Sequence, residues 1–102
     1  MEKRLMISEK LHELLGSDEV HFQPTESVKL KYPCILYSFE DYRFSRANNG
    51  KYLKREHYTV THIYQSIDEN LREQMLSAFM YSSFERTYTA DGLYHDAYNI
   101  YL

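Results

Sequence analysis

Two extended stretches on either side of a long charged segment constrain the fold most strongly. Cys34–Phe39 and Tyr58–Gln65 are rich in the β-branched and aromatic side chains that favour strands. Asn48-Asn49-Gly50 lies between them and contains Asn-Gly, the pair that best tolerates the positive φ angles of a two-residue type I′ turn. The sequence therefore predicts a long antiparallel hairpin that turns at Asn49-Gly50.

Counting outward from that turn gives a register. It places Phe39 opposite Val60 and Tyr37 opposite His62, so that apolar side chains meet along one face. Strands usually end after about 5–6 residues. The arms are therefore expected to be too long to pair throughout, and the distal half, from about Glu40 to Glu56, is expected to project beyond the sheet.

Composition excludes several classes of protein. A chain of 102 residues predicts one domain, 1–102, and its net charge of −3 argues against a general nucleic-acid binder. No apolar run approaches the ~20 residues of a membrane span, and none follows Met1–Arg4, so no secretory signal is expected. The single cysteine fits a reducing compartment. Eleven tyrosines fit strands and also fit protein interfaces, with strands favoured.

The N-terminal third predicts a helix and a short strand. Within Lys3–Leu15, apolar residues recur at helical spacing and form one stripe (Ile7, Leu11, Leu14 and Leu15). Gly16 is suited to end this helix. Val20–Gln23 alternates and predicts a first strand, and Thr25–Tyr32 predicts a loop.

A second helix and a second hairpin are predicted after the long hairpin. Ser66-Ile67-Asp68-Glu69 matches a capping box. The helix after it buries Leu71, Met75, Ala78 and Phe79 and exposes Glu69, Asn70, Arg72, Glu73 and Gln74. The hairpin turns at Ala90-Asp91-Gly92; a three-residue loop is preferred to a two-residue Asp-Gly turn, because it pairs Tyr88 with Tyr94, Arg86 with Asp96 and Phe84 with Tyr98.

Together these elements predict an α+β fold. The expected architecture is a largely antiparallel sheet of about four to five strands, with two helices packed on one face and a long projecting hairpin.

No catalytic, cofactor or metal site is predicted. The chain contains neither nucleotide-binding fingerprint and no His-Glu-x-x-His helix. His57 and His62 are five residues apart on one extended arm, so they point to opposite faces and cannot share a metal. His62 is interpreted as a partly buried, hydrogen-bonded histidine rather than a ligand or base, and Cys34, expected opposite Gln65, as a small buried hydrophobe rather than a nucleophile. We expect no enzymatic activity.

The charged segment is the one functional candidate. Basic and aromatic residues alternate around its tip: Tyr42, Arg43, Phe44, Arg46, Lys51, Tyr52, Lys54 and Arg55. Such a set could anchor a protein contact or bind single-stranded nucleic acid by charge and stacking. It could also be a solvated edge whose charges prevent aggregation. Glu40, Asp41 and Glu56 dilute the positive charge and weaken the nucleic-acid reading.

Four segments carry a resemblance to a known family: Lys31–Tyr37, Arg46–Tyr52, Tyr58–Thr61 and Ser83–Asp91. From about Val20 to Leu102 the chain resembles the small tail-completion proteins of long-tailed bacteriophages, which include the tail terminators. Its tip, Asn48-Asn49-Gly50, departs from the "A-D-N-K-x-Y" pattern of that family.

The resemblance implies a structural virion protein. Such a subunit would be assembled in the cytoplasm of the bacterial host and located in the virion, at the tail or neck. It would form a homo-oligomeric ring, a hexamer, at the head-proximal end of the tail tube. Its partners would be its own copies, the tail-tube protein and neck proteins. Genome DNA would pass through without specific binding, and no membrane would be involved. The alternative is a small nucleic-acid-binding module that uses the basic arm around Arg43–Arg55.

Overall fold

The structure is a computed structural model that describes residues 3–23, 29–46, 52–66 and 71–102. Its elements in chain order are α1 (Lys3–Leu15), β1 (Val20–Phe22), β2 (Cys34–Arg46), β3 (Tyr52–Tyr64), α2 (Arg72–Ala78), β4 (Ser82–Ala90) and β5 (Leu93–Tyr101). The strands form one sheet in the order β1-β2-β3-β5-β4. Only the β1–β2 pair is parallel in the described sheet, so the mixed sheet with two helices confirms the α+β prediction.

Helix α1 has the predicted bounds and the predicted buried stripe. Ile7 and Leu11 are fully buried, and Leu14 and Leu15 pack against the core from its margin. Gly16 follows the helix with φ +75° and donates its N–H to the carbonyl of His12. Because this conformation is strained for side chains with a Cβ, glycine ends the helix here at little steric cost.

The register of β2 and β3 differs from the prediction by two residues. Tyr37 lies opposite Val60 rather than His62, and Cys34 lies opposite Ile63 rather than Gln65. Because the difference is an even number of residues, every one of these side chains keeps its predicted face.

A β-bulge between Phe39 and Asp41 shifts the register by one residue, so the ladder beyond it differs from the prediction by one residue and the ladder before it by two. The two strands remain paired as far as Arg46 and Tyr52, so the expectation that pairing stops near Glu40 is wrong. The turn predicted at Asn49-Gly50 lies outside the described residues, but its register, with Leu53 opposite Arg46, is not observed.

The last hairpin has a two-residue turn, and the prediction of a three-residue loop is wrong. Ala90 pairs with Leu93, which leaves Asp91 and Gly92 as the loop. Both have positive φ angles, 54° and 76°, as a type I′ turn requires.

A second bulge, between Phe84 and Arg86, accounts for the difference between the predicted and the observed loop. Phe84 lies opposite Tyr98 as predicted, but the predicted pairs Arg86–Asp96 and Tyr88–Tyr94 are wrong. Thr87 lies opposite Asp96 instead. The prediction placed the one-residue offset in the loop, whereas the chain accommodates it within β4.

Helix α2 begins later than the capping box implies. Its N-cap is Leu71, which makes no side-chain cap, so Ser66 does not cap this helix. Residues 67–70, with the rest of the predicted box, lie outside the described residues. Met75 and Phe79 are buried as predicted, with Leu71 and Ala78 packed beside them.

One hydrophobic cluster joins both helices to the sheet. Ile7 and Leu11 from α1 and Met75 from α2 belong to the same cluster as side chains from β2, β3 and β5. The strand residues of the cluster are Ile35, Tyr37, Tyr58, Val60, Tyr98 and Ile100. These strand positions alternate along each strand, which is the pattern of a sheet with one packed face.

Candidate interaction surfaces

The distal part of the β2–β3 pair forms a two-stranded ribbon, which we define as residues 41–46 and 52–56. In the described chain, β1 pairs with β2 only as far as Tyr37, and β5 pairs with β3 from His57 onward. The bulge before Asp41 turns Tyr42 toward the face that carries Phe39, and the two rings meet at 5.1 Å. The bulge therefore decides which ribbon residues share a face with the core.

The ribbon face on the side of Phe39 exposes two aromatic rings and a cation. Phe44 is 65% exposed and Tyr42 is 49% exposed. Lys54 lies directly opposite Phe44, and its Nζ is 4.7 Å from the centre of the Tyr42 ring. This face can bury aromatic area against a partner, as interface anchors do.

The opposite ribbon face carries two arginines that are held by different groups. Arg43 lies opposite Arg55 in the ladder, and its Nε donates to Asp41 Oδ1 at 3.1 Å. The guanidinium of Arg55 lies 3.9 Å from the centre of the Tyr81 ring. The basic residues predicted to form one cluster are thus divided between two faces.

Two of the predicted interface residues can be placed only by their backbones, and a third is not described. Arg46 and Tyr52 pair through their backbones at the described end of the ribbon. Lys51 lies outside the described residues.

A hydrogen-bonded histidine lies at the base of the ribbon, and sequence reasoning missed its contacts. His57 is 3% exposed; its Nδ1 is 2.9 Å from Asp41 Oδ1 and its Nε2 is 2.8 Å from Asn99 Oδ1. Its ring stacks on Tyr101 at 4.7 Å. These contacts tie β2, β3 and β5 together where the ribbon leaves the sheet.

The same contacts affect the carboxyl group of Asp41. Desolvation favours its neutral form, but hydrogen bonds from His57 and Arg43 favour the carboxylate. The net result is a pKa of Asp41 below its ordinary value.

A second surface, the helix-end surface, was not predicted. It consists of exposed apolar side chains at the start of α1 and on the connection from α2 to β4: Met6, Met80 and Tyr81. Met80 is 87% exposed, the highest value among the exposed large apolar residues of the described chain. The signal was present in the sequence, because Met80 and Tyr81 follow the apolar stripe of α2 without belonging to it.

An apolar depression of about 280 Å³ lies beside this surface. It is lined by Lys3, Met6, Arg55, Met80, Tyr81, Tyr101 and Leu102. Lys3 also contacts the ribbon, since its Nζ is 3.9 Å from Glu56 Oε2. The depression therefore lies at the base of the ribbon, between the start of α1 and the end of β5.

A polar cluster is buried where α2 meets the sheet. Asp96 is fully buried, and Arg72, predicted to face solvent, places its Nε 3.1 Å from Asp96 Oδ2. The Tyr64 hydroxyl donates to both carboxylate oxygens at 3.1 Å, and Thr87 donates to Oδ1. Burial and the hydrogen bond to Asp96 raise the pKa of Tyr64.

The burial predicted for two single residues is confirmed. His62 is fully buried and stacks on Tyr64 at 4.7 Å. Cys34 is also fully buried, and burial, with the charge of Glu19, raises the pKa of its thiol to about 11. Such a thiol is a poor nucleophile at neutral pH.

The described residues contain no group of three or more His, Cys, Asp or Glu side chains placed to hold a metal. None of their helices has both the length and the apolar character needed to span a bilayer. Comparison of the chain with models of known protein families, with curated proteins and with solved structures gives no match.

Proposed function

We propose that this protein is a structural subunit of a ring at the tail or neck of a long-tailed bacteriophage, as a tail terminator or tail-completion protein. The proposal rests on the resemblance of four segments to that family and on the exposed aromatic face of the ribbon. Phe44 carries most weight. Its ring is 65% exposed, and this apolar area is removed from water only when a partner covers it.

Two different exposed surfaces support an assembly of this kind. The ribbon presents Tyr42 and Phe44, and the helix-end surface presents Met6, Met80 and Tyr81. A ring is built from heterologous contacts, in which each subunit uses two unlike patches. In the proposed ring the ribbon of one subunit contacts its neighbour or the tail-tube protein, and six copies close around the path of the genome.

The experiment combines native mass spectrometry with co-sedimentation on purified tail tubes. We expect the wild-type protein to form a ring alone or on the tube, and Phe44→Ala to reduce either product strongly. Tyr88→Ala is the matched control, since Tyr88 is an exposed aromatic on β4, away from the ribbon. A protein that stays monomeric and also fails to join the tubes contradicts the proposal.

A nucleic-acid-binding module is the second candidate, favoured by the stacking of Lys54 on Tyr42 beside exposed Phe44. Aromatic rings and a cation on one face are the elements of single-strand binding. Arg43 and Arg55 lie on the opposite face of the ribbon, which counts against nucleic-acid binding. The module predicts binding to single-stranded DNA that weakens steeply with salt and on Lys54→Ala or Arg46→Ala. Binding that is absent, or independent of salt, removes this candidate.

A further inference from the structure

The aromatic face of the ribbon carries a cation that no described carboxylate neutralises. Lys54 is exposed, lies opposite Phe44 and has its Nζ 4.7 Å from the centre of the Tyr42 ring. It forms no ion pair within the described part of the chain. Glu56, two residues along the same face of β3, is paired with Lys3 instead. This face therefore combines two exposed rings with an unneutralised positive charge.

The outer side of α1, which we define as Glu9, His12 and Glu13, has the complementary charge. Glu9 and Glu13 are exposed and lie one turn apart, about 6 Å along the helix axis, with the partly exposed His12 between them. Neither glutamate forms an ion pair with a described cation. Lys10 is directed toward α2, since its Nζ donates to the carbonyl of Ala78 at 2.9 Å.

Glu13 lies where a carboxylate is unfavourable for the helix itself. It belongs to the last turn of α1, which ends at Leu15. The partial negative charge at the C-terminus of a helix repels acidic side chains. A residue that opposes its own helix, with no cation beside it in the described chain, is the kind of local conflict that functional surfaces contain.

The ribbon face and the outer side of α1 cannot meet within one copy. The helix begins at the base of the ribbon, where Lys3 contacts Glu56, and it leads into β1, which pairs with β2 at the end remote from the ribbon. Glu13 is about 15 Å along the helix from Lys3, whereas Lys54 lies beyond Glu56 in the opposite direction. A contact between the two surfaces therefore joins two copies through unlike patches, as a ring requires.

We infer that the aromatic face of the ribbon docks on the outer side of α1 in a second copy of this chain. The ammonium group of Lys54 lies between the carboxylates of Glu9 and Glu13, and the Phe44 ring packs on His12. Charge sets the orientation of the contact, and removal of the ring from water stabilises it. The inference rests on the proposed function for the closure of six such contacts into a ring, but the contact itself needs only two copies.

Charge reversal tests this contact. Lys54→Glu sets carboxylates against carboxylates, and the double variant Glu9→Lys/Glu13→Lys sets ammonium groups against an ammonium group. Each should weaken self-association at least about tenfold, measured by sedimentation equilibrium at low salt. An equimolar mixture of the two variants should regain the affinity of wild type, because in an alternating assembly every ribbon meets an α1 of opposite charge.

Two control variants change the net charge at other exposed positions. Lys29→Glu matches the reversal of Lys54, and Glu73→Lys on α2 matches the reversal of one glutamate on α1. Both should self-associate as wild type does. Urea denaturation separates loss of the contact from loss of the fold, and Glu13→Lys should not destabilise α1, because a cation in the last turn interacts favourably with the helix dipole.

A zero-length cross-linker locates the contact. Carbodiimide condenses a lysine amine with a carboxylate that touches it. In a mixture of isotopically light and heavy protein it should join Lys54 of one copy to Glu9 or Glu13 of another, both in free solution and on purified tail tubes.

The outcomes separate this inference from the proposed function. If wild type assembles, free or on the tubes, and both reversals assemble equally well, the inference is wrong and the proposed ring is unaffected. If the mixture restores self-association but no protein joins the tubes, the place in the tail is wrong and the contact is supported. Wild-type protein that stays monomeric at about 1 mM and also fails to join the tubes contradicts both.

Discussion

Arg72 on α2 is bound to Asp96 on β5: its Nε lies 3.1 Å from Oδ2 of a carboxylate that is fully buried. The arginine side chain itself remains 39% exposed, so it stays partly hydrated and its desolvation penalty is smaller than that of a fully buried cation. The pair links a short helix, whose start lacks a side-chain cap, to the centre of the sheet. The contact therefore fixes α2, which carries Met75 into the core and leads to Met80.

Removal of the arginine from this pair should destabilise the protein. Arg72→Leu leaves the buried Asp96 carboxylate with the hydroxyl donors of Tyr64 and Thr87 and without its cationic partner, and we expect the free energy of unfolding to fall by about 2 kcal/mol. Urea denaturation measures this directly. Arg86→Leu, which removes an exposed arginine from β4, serves as the control and should change stability by less than about 0.5 kcal/mol. Equal losses in the two variants would contradict the proposed role of the pair.

Two buried tyrosines provide a matched comparison. The Tyr64 hydroxyl donates to Asp96, whereas the buried Tyr98 hydroxyl has no hydrogen-bond partner in the described structure. Burial raises the pKa of Tyr98. Tyr64→Phe should lower the free energy of unfolding by about 1–2 kcal/mol, while Tyr98→Phe should leave it unchanged or raise it slightly, because an unsatisfied buried hydroxyl is costly. The reverse order in urea denaturation would show that the hydroxyl contacts are assigned wrongly.

The lowered pKa of Asp41 predicts a contribution to stability that is lost in acid. Its pKa is lower in the folded protein than in the unfolded chain, so folding favours the carboxylate. The contribution is present above the ordinary pKa of about 4 and is lost as pH falls through the lower folded value. Urea midpoints measured from neutral to strongly acidic pH should therefore fall less steeply in Asp41→Asn than in wild type. Asp91→Asn, which removes a carboxylate from the far turn, is the control; identical profiles for wild type and Asp41→Asn would refute the prediction.

The thiol of Cys34 should be unreactive in the native protein. It is fully buried, and its pKa of about 11 leaves little thiolate at about pH 8. Modification by a disulfide reagent such as dithionitrobenzoate should be slow in buffer and rapid in denaturant. Rapid modification of the native protein would mean that the strand is open at this position.

The elements of the fold could be predicted from the sequence, because they depend on local patterns. The stripe from Ile7 to Leu15 together with Gly16 defined α1 to the residue. Alternation placed His62 inside, and the usual burial of a free cysteine did the same for Cys34. Alternation would also have placed Asp96 inside, since Asp96 lies at the same parity as Tyr98 and Ile100. That position was the available signal for the buried polar cluster.

The registers could not be predicted, because a bulge changes each of them by one residue; the β2–β3 ladder also differs by one residue at its tip, where Arg46 pairs with Tyr52. Nothing in Phe39–Asp41 or Phe84–Arg86 distinguishes a bulged residue from a regular strand residue before the neighbouring strands are placed. The bulges then decide the surfaces: one brings Tyr42 to the face of Phe39, and the other brings Thr87 to Asp96. The contacts of Arg72, His57 and Arg55 join elements remote in sequence, so they follow only from the assembled sheet.

The central claim is that the protein acts through the exposed aromatic face of its ribbon. The most direct measurement replaces Phe44 with a photo-reactive phenylalanine analogue and irradiates the protein alone and together with a phage tail-tube protein, the partner that the proposal assigns to it. The account predicts covalent products with another copy of the chain or with the tube protein, and none when the analogue replaces Tyr88. Absence of any product from position 44, under conditions where the proteins are folded and concentrated, would contradict it.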